Sequence, residues 1–309
     1  MNTQKFTITD NTTYTGKDAL DFYSTALLEG VSTSSFRLVS GVETKIKLPL
    51  YDAGNVIQDA GCSWSPSGEG TLDQKSFEVC AKNIQLELCT TTFENNFLGE
   101  LLKPGSNTGE VSPAVFTDYM LNEVALKVSN DLEVATWKGD SATSSYPMSI
   151  CDGILKIAAA DVNVVDATPA GTITLANVIA EITKVYNLIP NTIINKDDVK
   201  IYVSDYIARL YVQAIAAASN EAYYVGKKEL NFLGIELFAA PGMADGSMVA
   251  GSSSNFVFLT DLQSDEEGIN VIPQYPISGV RSVRIVGAFK FGVGYLVSEE
   301  VVLYAGAIA

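Results

Sequence analysis

The sequence predicts an α+β fold, in which strands and helices mix without a strict strand–helix–strand alternation. Three features carry this expectation: alternating apolar residues early and late in the chain, a long helical repeat in the second quarter, and a short apolar strand running into an alanine-rich helix. With 309 residues, 47% of them hydrophobic and 18% charged, the chain can bury a sizeable core as one large domain or two modest ones. No apolar run approaches the roughly 20 residues needed to span a bilayer. Met1–Thr13 lacks the basic and apolar regions of a secretory signal. A soluble chain without a membrane partner is expected.

Residues 1–18 are rich in Thr and Asn and read as a flexible arm. A short helix is expected over Asp18–Gly30, with Leu20, Tyr23, Leu27 and Leu28 near helical spacing. Thr44–Tyr51 alternates Ile46, Leu48 and Leu50 with polar neighbours, the period of a strand, and Pro49 suits an edge position. A stretch rich in Gly and Ser follows, from Asp52 to Gly70 around Trp64 and Pro66. Ser76–Cys89 then alternates through Phe77, Val79, Ala81, Ile84, Leu86 and Leu88, with a phase shift expected near Lys82–Asn83. Two strands around a long tip make an extended hairpin, which cannot bury both faces by itself.

Ser112–Pro113 opens the clearest helix, Ser as cap and Pro at the first helical position. Leu121, Val124, Ala125, Val128, Leu132 and Ala135 recur at helical steps to about Trp137, with Asn122, Glu123, Ser129 and Glu133 facing elsewhere. Beyond Cys151–Asp152–Gly153, Thr172 or Thr174 opens a helix closed by Pro190. Val199–Val203 is a buried strand, and Ser204 caps a helix from Asp205 to about Ser219. Leu230–Ala239 reads as a strand pair turning at Gly234, followed by a turn at Pro241–Gly242. Asn255–Thr260, Gly268–Pro273, Val280–Phe291 and Gly294–Tyr304 complete the strands, with Gly292 and Gly294 placed in a turn between the last two.

Chemistry finds little purchase. The chain has no histidine, which removes Ser-His-Asp and Cys-His catalysis, His-ligated metals and the usual neutral-pH base. Cys62, Cys80, Cys89 and Cys151 form no C-x-x-C pair and read as reduced, buried thiols of a cytosolic protein. Asp197–Asp198 and Asp265–Glu266–Glu267 lack the ligand spacing of a calcium loop and read as solvated acids. Gly68-Glu69-Gly70 and Gly292-Val293-Gly294 are too sparse for a phosphate cradle. Tyr223–Tyr224 with Lys227–Lys228 reads as an exposed loop, not a base-stacking platform. A net charge of −16 without a basic stretch keeps the protein soluble and gives no grip on nucleic acid. No catalytic, cofactor-binding or metal-binding residue is assigned.

Three segments resemble the major capsid proteins of tailed bacteriophages with the Hong Kong 97-type fold. Lys45–Leu88, with Trp64 and a Gly-Glu near its tip, is similar to that family's extended loop and return strand. Val115–Asp140, ending in Trp-Lys-Gly-Asp, looks like its spine helix, and CDGIL at Cys151–Leu155 like the short segment after it. Val199–Ala214 and Leu230–Met243 are similar to its axial-domain strand, helix and following strands. The resemblance implies an N-terminal arm at 1–40, an extended loop at 41–76, and a peripheral domain at 77–155 with its spine helix at 113–137. It further implies an axial domain at 156–285 and a C-terminal strand at 286–309 returning to the peripheral domain.

By the same resemblance the chain is a structural protein, not an enzyme. It would assemble with itself into hexamers and pentamers of an icosahedral shell around double-stranded DNA, without sequence-specific binding. Scaffolding, portal and decoration or head-completion proteins are the implied partners. The virion is the implied location, after assembly in the bacterial cytoplasm. Lys45, Lys47 and Lys75 lie in or beside the loop and are expected to be solvated lysines, not crosslinking groups. The rival readings are an encapsulin-type compartment shell, a β-rich binding or adhesion protein, and a carboxylate hydrolase using Asp265, Glu266 and Glu267.

Overall fold

Apolar residues at alternate positions of the strands need cover on one face or both, and the chain provides it with two six-stranded sheets packed through a shared core. A computed structural model describes residues 12–14, 31–52, 54, 57, 70–89, 113–218, 230–261, 269–280 and 282–306. The expected helix at 18–30, Ser112, the Gly/Ser tip with Cys62 and Trp64, Tyr223–Lys228 and Asp265–Glu267 lie outside these residues.

The strands are β1 (Thr12–Tyr14), β2 (Arg37–Val39), β3 (Lys45–Asp52), β4 (Thr71–Glu78), β5 (Cys80–Cys89), β6 (Val165–Asp166), β7 (Val199–Ser204), β8 (Asn231–Phe232), β9 (Ile235–Ala240), β10 (Ser247–Ser252), β11 (Phe256–Thr260), β12 (Ile269–Pro273), β13 (Ser282–Tyr295) and β14 (Val302–Ala305). The helices are α1 (Pro113–Lys138), α2 (Ile154–Ala160), α3 (Val178–Leu188), α4 (Asp205–Ala218) and the single turn α5 (Tyr275–Ser278). The first sheet runs β1-β12-β13-β11-β2, with β5 paired to β13 along ten residues. The second runs β6-β14-β10-β7-β9-β8. The α+β class is as expected.

β7 shows how the core is divided. Val199, Ile201 and Val203 face Val178, Ile182 and Val185 of α3 and Ile207 and Tyr211 of α4. Tyr202 points the other way, its ring 5.3 Å from that of Trp137 near the end of α1. Ser204 caps α4 as expected, its hydroxyl accepting from the Ile207 N–H at 3.4 Å. The crossover from β7 through α4 sets β9 parallel to β7. Leu233 and Gly234, at φ 48° and 90°, make the tight turn between β8 and β9.

Several expectations need correction. β13 runs unbroken through Gly292 and Gly294, which form no turn. These glycines let another segment approach: a Cβ at 292 would stand 2.7 Å from the Glu78 carbonyl oxygen, and one at 294 would meet the Phe77 ring at 2.7 Å. The strand after the loop is two strands, β4 and β5, and the phase shift falls at Val79, three residues before Lys82. α3 starts at Val178, because Asn177 turns back to accept from the Thr174 N–H at 2.7 Å and holds 174–177 in a turn. Glu133, expected off the apolar face of α1, is buried all the same, since in the last two turns only Val134 and Lys138 stay partly exposed. The sheets also cross the expected domain limits: β11 and β12 pair with β13, whereas β14 pairs with β10.

Candidate assembly surfaces

β3 and β4 form a ladder of eight residue pairs that belongs to neither large sheet. Both strands are edges, so Pro49, without an N–H, costs no sheet bond on its outer side. Tyr51 and Leu72 oppose each other in this ladder at 71% and 65% exposure, and Ile57 beyond them is 92% exposed. Apolar side chains so placed on a two-stranded ribbon have no cover within the described residues.

The root of the ribbon is fastened tightly. Phe77 is buried with Val42, Val257 and Leu259, and Ile46 and Leu48 pack against them. The Lys75 ammonium donates to the Ser298 hydroxyl at 2.9 Å, lies 3.7 Å from an Asp161 carboxylate oxygen and sits 4.1 Å above the Tyr295 ring. Burial lowers the Lys75 pKa against the pull of Asp161. Asp161 is itself held below the usual carboxylate range, chiefly by the Ser298 hydroxyl. Lys75 is therefore an anchor and not the solvated lysine expected. Lys45 is exposed and paired with Glu78 at 2.6 Å, and Lys47 is exposed.

A second junction joins the segment before β2 to α1. The Ser32 N–H donates to Glu133 Oε2 at 3.0 Å, and the Ser32 hydroxyl donates to Glu133 Oε1. The Trp137 indole N–H donates to Ser32 Oγ at 2.8 Å. Phe36 lies among the rings of Trp137, Tyr202 and Phe256 at 5.3–5.8 Å. Burial pushes the Glu133 carboxyl up, and the two bonds from Ser32 oppose that shift.

After α1 the chain turns back on itself. The Gly153 N–H donates to the Gly139 carbonyl at 2.9 Å, and a Cβ at 139 would stand 2.1 Å from the Cys151 carbonyl oxygen. Lys156 binds Asp140 and Asp152 at 2.7 Å each. The Gly-Asp and Cys-Asp-Gly segments thus close one clamp. Cys80 and Cys151 are disulfide-bonded, which corrects the expectation of reduced thiols. Their 71-residue separation gives no local signal of the pairing, because folding brings β5 beside 148–151.

Between α1 and β5 lies a groove of about 630 Å³, lined by Met120, Val124, Val128, Ile84, Leu86 and Phe289 among others, with Lys127, Asp131 and Tyr146 at its margin. Asp198, expected as a solvated acid, accepts from the Ser252 and Ser254 hydroxyls and ties the start of β7 to the β10–β11 turn. Asp197 is exposed. Among the described residues no three His, Cys, Asp or Glu side chains are grouped to hold a metal ion, and no helix is long and apolar enough to cross a membrane.

No protein-family model matches the chain, and no curated protein matches it in sequence. Solved structures do match. The satellite phage P4 procapsid, including its size-determination protein, gives a TM-score of 0.60 at 12% identity, over 94% of this chain and 98% of that one. The fold is that of a phage capsid protein. Matches at this level of identity speak to fold alone. The capsid of an empty GTA particle has the same capsid fold at a TM-score of 0.57 and 12% identity, over 92% and 90% of the two chains. The capsid of cyanophage P-SCSP1u follows at 0.56 and 9%, over 92% and 89%.

Proposed function

We propose that this chain is the major capsid protein of a tailed bacteriophage, building an icosahedral head shell from copies of itself around double-stranded DNA. The observation that carries the reading is the exposed β3–β4 ribbon, rooted on a chain whose capsid fold extends over 94% of its length. Tyr51, Ile57 and Leu72 would find their cover on neighbouring copies, and repetition in a closed array turns weak contacts into a stable shell.

In Hong Kong 97-type terms the ribbon is the extended loop and α1 the spine helix. The sheet built on β13 serves as the peripheral domain, and the sheet built on β7, with α3 and α4, as the axial domain. Residues 1–40 are the arm, docked through Ser32 and Phe36. The proposed location is the virion, following assembly in the host cytoplasm, with hexamers and pentamers as the capsomers. Scaffolding, portal and decoration proteins are the proposed partners.

Asp52 and Thr71 oppose each other across the ladder, so residues 53–70 can be replaced by an Asn-Gly turn without disturbing β3 or β4. The expected result is a folded subunit that fails to form closed shells, read by circular dichroism and negative-stain imaging. Normal shells from that variant would overturn the reading. Shells that enclose a protein cargo in place of DNA would point to a compartment shell.

A further inference from the structure

The Cys80–Cys151 bond occupies a mechanical position. Cys80 opens β5, two residues beyond the end of the ribbon, and Cys151 follows the turn at 148–150 that packs on α1. The Cys151 carbonyl is pressed against Gly139, directly after α1. The bond therefore joins the root of the ribbon to the end of the long helix, with Cα atoms 5.9 Å apart. Beside it the Lys82 ammonium donates to the Ser149 carbonyl at 3.4 Å, a long and weak tie between the two segments. With the sulfurs unbonded, β5 faces α1 across the apolar groove described above, an arrangement that resists relative movement weakly. With them bonded, a covalent link spans the two.

We propose that Cys80–Cys151 is a redox-set lock, open as two thiols during assembly and closed once the particle meets an oxidising medium. The timing rests on the capsid reading above, because a bacterial cytosol keeps thiols reduced; the bond itself does not. A small-molecule disulfide such as oxidised glutathione is the oxidant. Cys80 is partly exposed and Cys151 buried, so the Cys80 thiolate attacks first and expels one glutathione thiolate. The Cys151 thiolate then attacks the Cys80 sulfur of the mixed disulfide and expels the second. Two protein thiols become one disulfide, and the oxidised glutathione becomes two reduced molecules.

The test uses the full chain, released from cells directly into denaturant with N-ethylmaleimide present throughout. Cys80 and Cys151 should both carry the label. A second portion, released without label and treated with oxidised glutathione, should yield a crosslinked peptide pair and a chain lighter by two hydrogens. Oxidation should raise the melting temperature by roughly 5–10 °C, reversibly with reductant, and should leave the Cys80→Ser, Cys151→Ser double variant unmoved. Three results would overturn the lock: a bond already present in labelled cells, thiols that resist oxidation, or a melting shift equal in the double variant. Failure to form shells would count against the capsid reading alone, since mass and melting are read equally on the soluble subunit.

Discussion

The β3–β4 ribbon and the β7–β10 pair are both antiparallel ladders with continuous registers, but β7 and β10 are each paired along a second side and β3 and β4 are not. Their side chains differ as well. β10 is buried at all six positions and β7 at five of six, whereas of β4 only Phe77 is buried. A regular two-strand register thus does not by itself distinguish a core from an appendage. The residue types do: Val-Lys-Ile-Tyr-Val-Ser is covered on both faces by this chain's own helices and rings, while Thr-Leu-Asp-Gln-Lys-Ser-Phe-Glu is covered only at its root. One region is finished by the fold, and the other is left for something outside it.

The sharpest way to break this contrast is at the finished end. Trp137 is 0% exposed, its ring lies against Phe36 and Tyr202, and its N–H is spent on Ser32. Trp137→Ala removes a ring shared by α1, β7 and the segment before β2, and leaves the Ser32 hydroxyl without that donor. A loss of about 3–5 kcal/mol is expected, measured as a lower denaturant midpoint of the unassembled subunit. A loss below about 1 kcal/mol would mean that the end of α1 is not the keystone of the core.

Much of the finished region was legible in the sequence. Val199–Val203 followed by Ser204 and an alanine-rich run is a strand, cap and helix because burial, capping and helix propensity agree there. The long helix was legible from the three- and four-residue recurrence of Leu121, Val124, Ala125, Val128 and Leu132. What escaped is what depends on distant partners. Gly292 and Gly294 look like turn residues until Phe77 and Glu78 are seen lying across them. Ser32 and Glu133 stand 101 residues apart, and nothing local to either announces their bond. Glu133 sits at a polar position of an amphipathic pattern, and that pattern ceases to apply where the helix is enclosed on most sides. The ribbon itself was read from alternation, but its root at Lys75, Phe77 and Val79 was not, because that root is set by β11, β13 and Asp161.

Glu133 tests whether the buried junction is tuned by charge. Its carboxyl is raised in the folded state by burial, so folding favours its protonated form. For a raised acid, the stability contribution is complete below the unfolded value of about 4.3 and is lost as pH rises through the higher folded value. Asp161 and Asp198, whose carboxyls are lowered, act in the opposite sense and lose their contribution on acidification. Glu133→Gln keeps an oxygen for the Ser32 N–H, and its amide can donate to Ser32 Oγ, but it cannot ionise. Compared with the parent chain, the variant should gain in relative stability as pH is raised from about 4 to about 7. Parallel stability curves for the two proteins would show that Glu133 does not titrate in that window.

The smallest effect on the subunit is expected from the unfinished region, and there the contrast is put most directly. Tyr51→Ser together with Leu72→Ser removes an apolar cross-strand pair that is largely in water already. Little area returns to solvent on unfolding, and what is lost is the cross-strand contact itself. The denaturant midpoint of the unassembled subunit should correspond to a change within about 0.5 kcal/mol, the range for exposed positions without special contacts. The same two changes remove the apolar area offered to a neighbouring copy, so sedimentation should show shell yield falling while the subunit stays folded. A subunit destabilised by more than about 2 kcal/mol would mean that these side chains are packed against the chain's own body, and the division into finished and unfinished regions would fail. Unchanged shells with an unchanged subunit would place the contact surface elsewhere, with the apolar groove between α1 and β5 the next surface to vary.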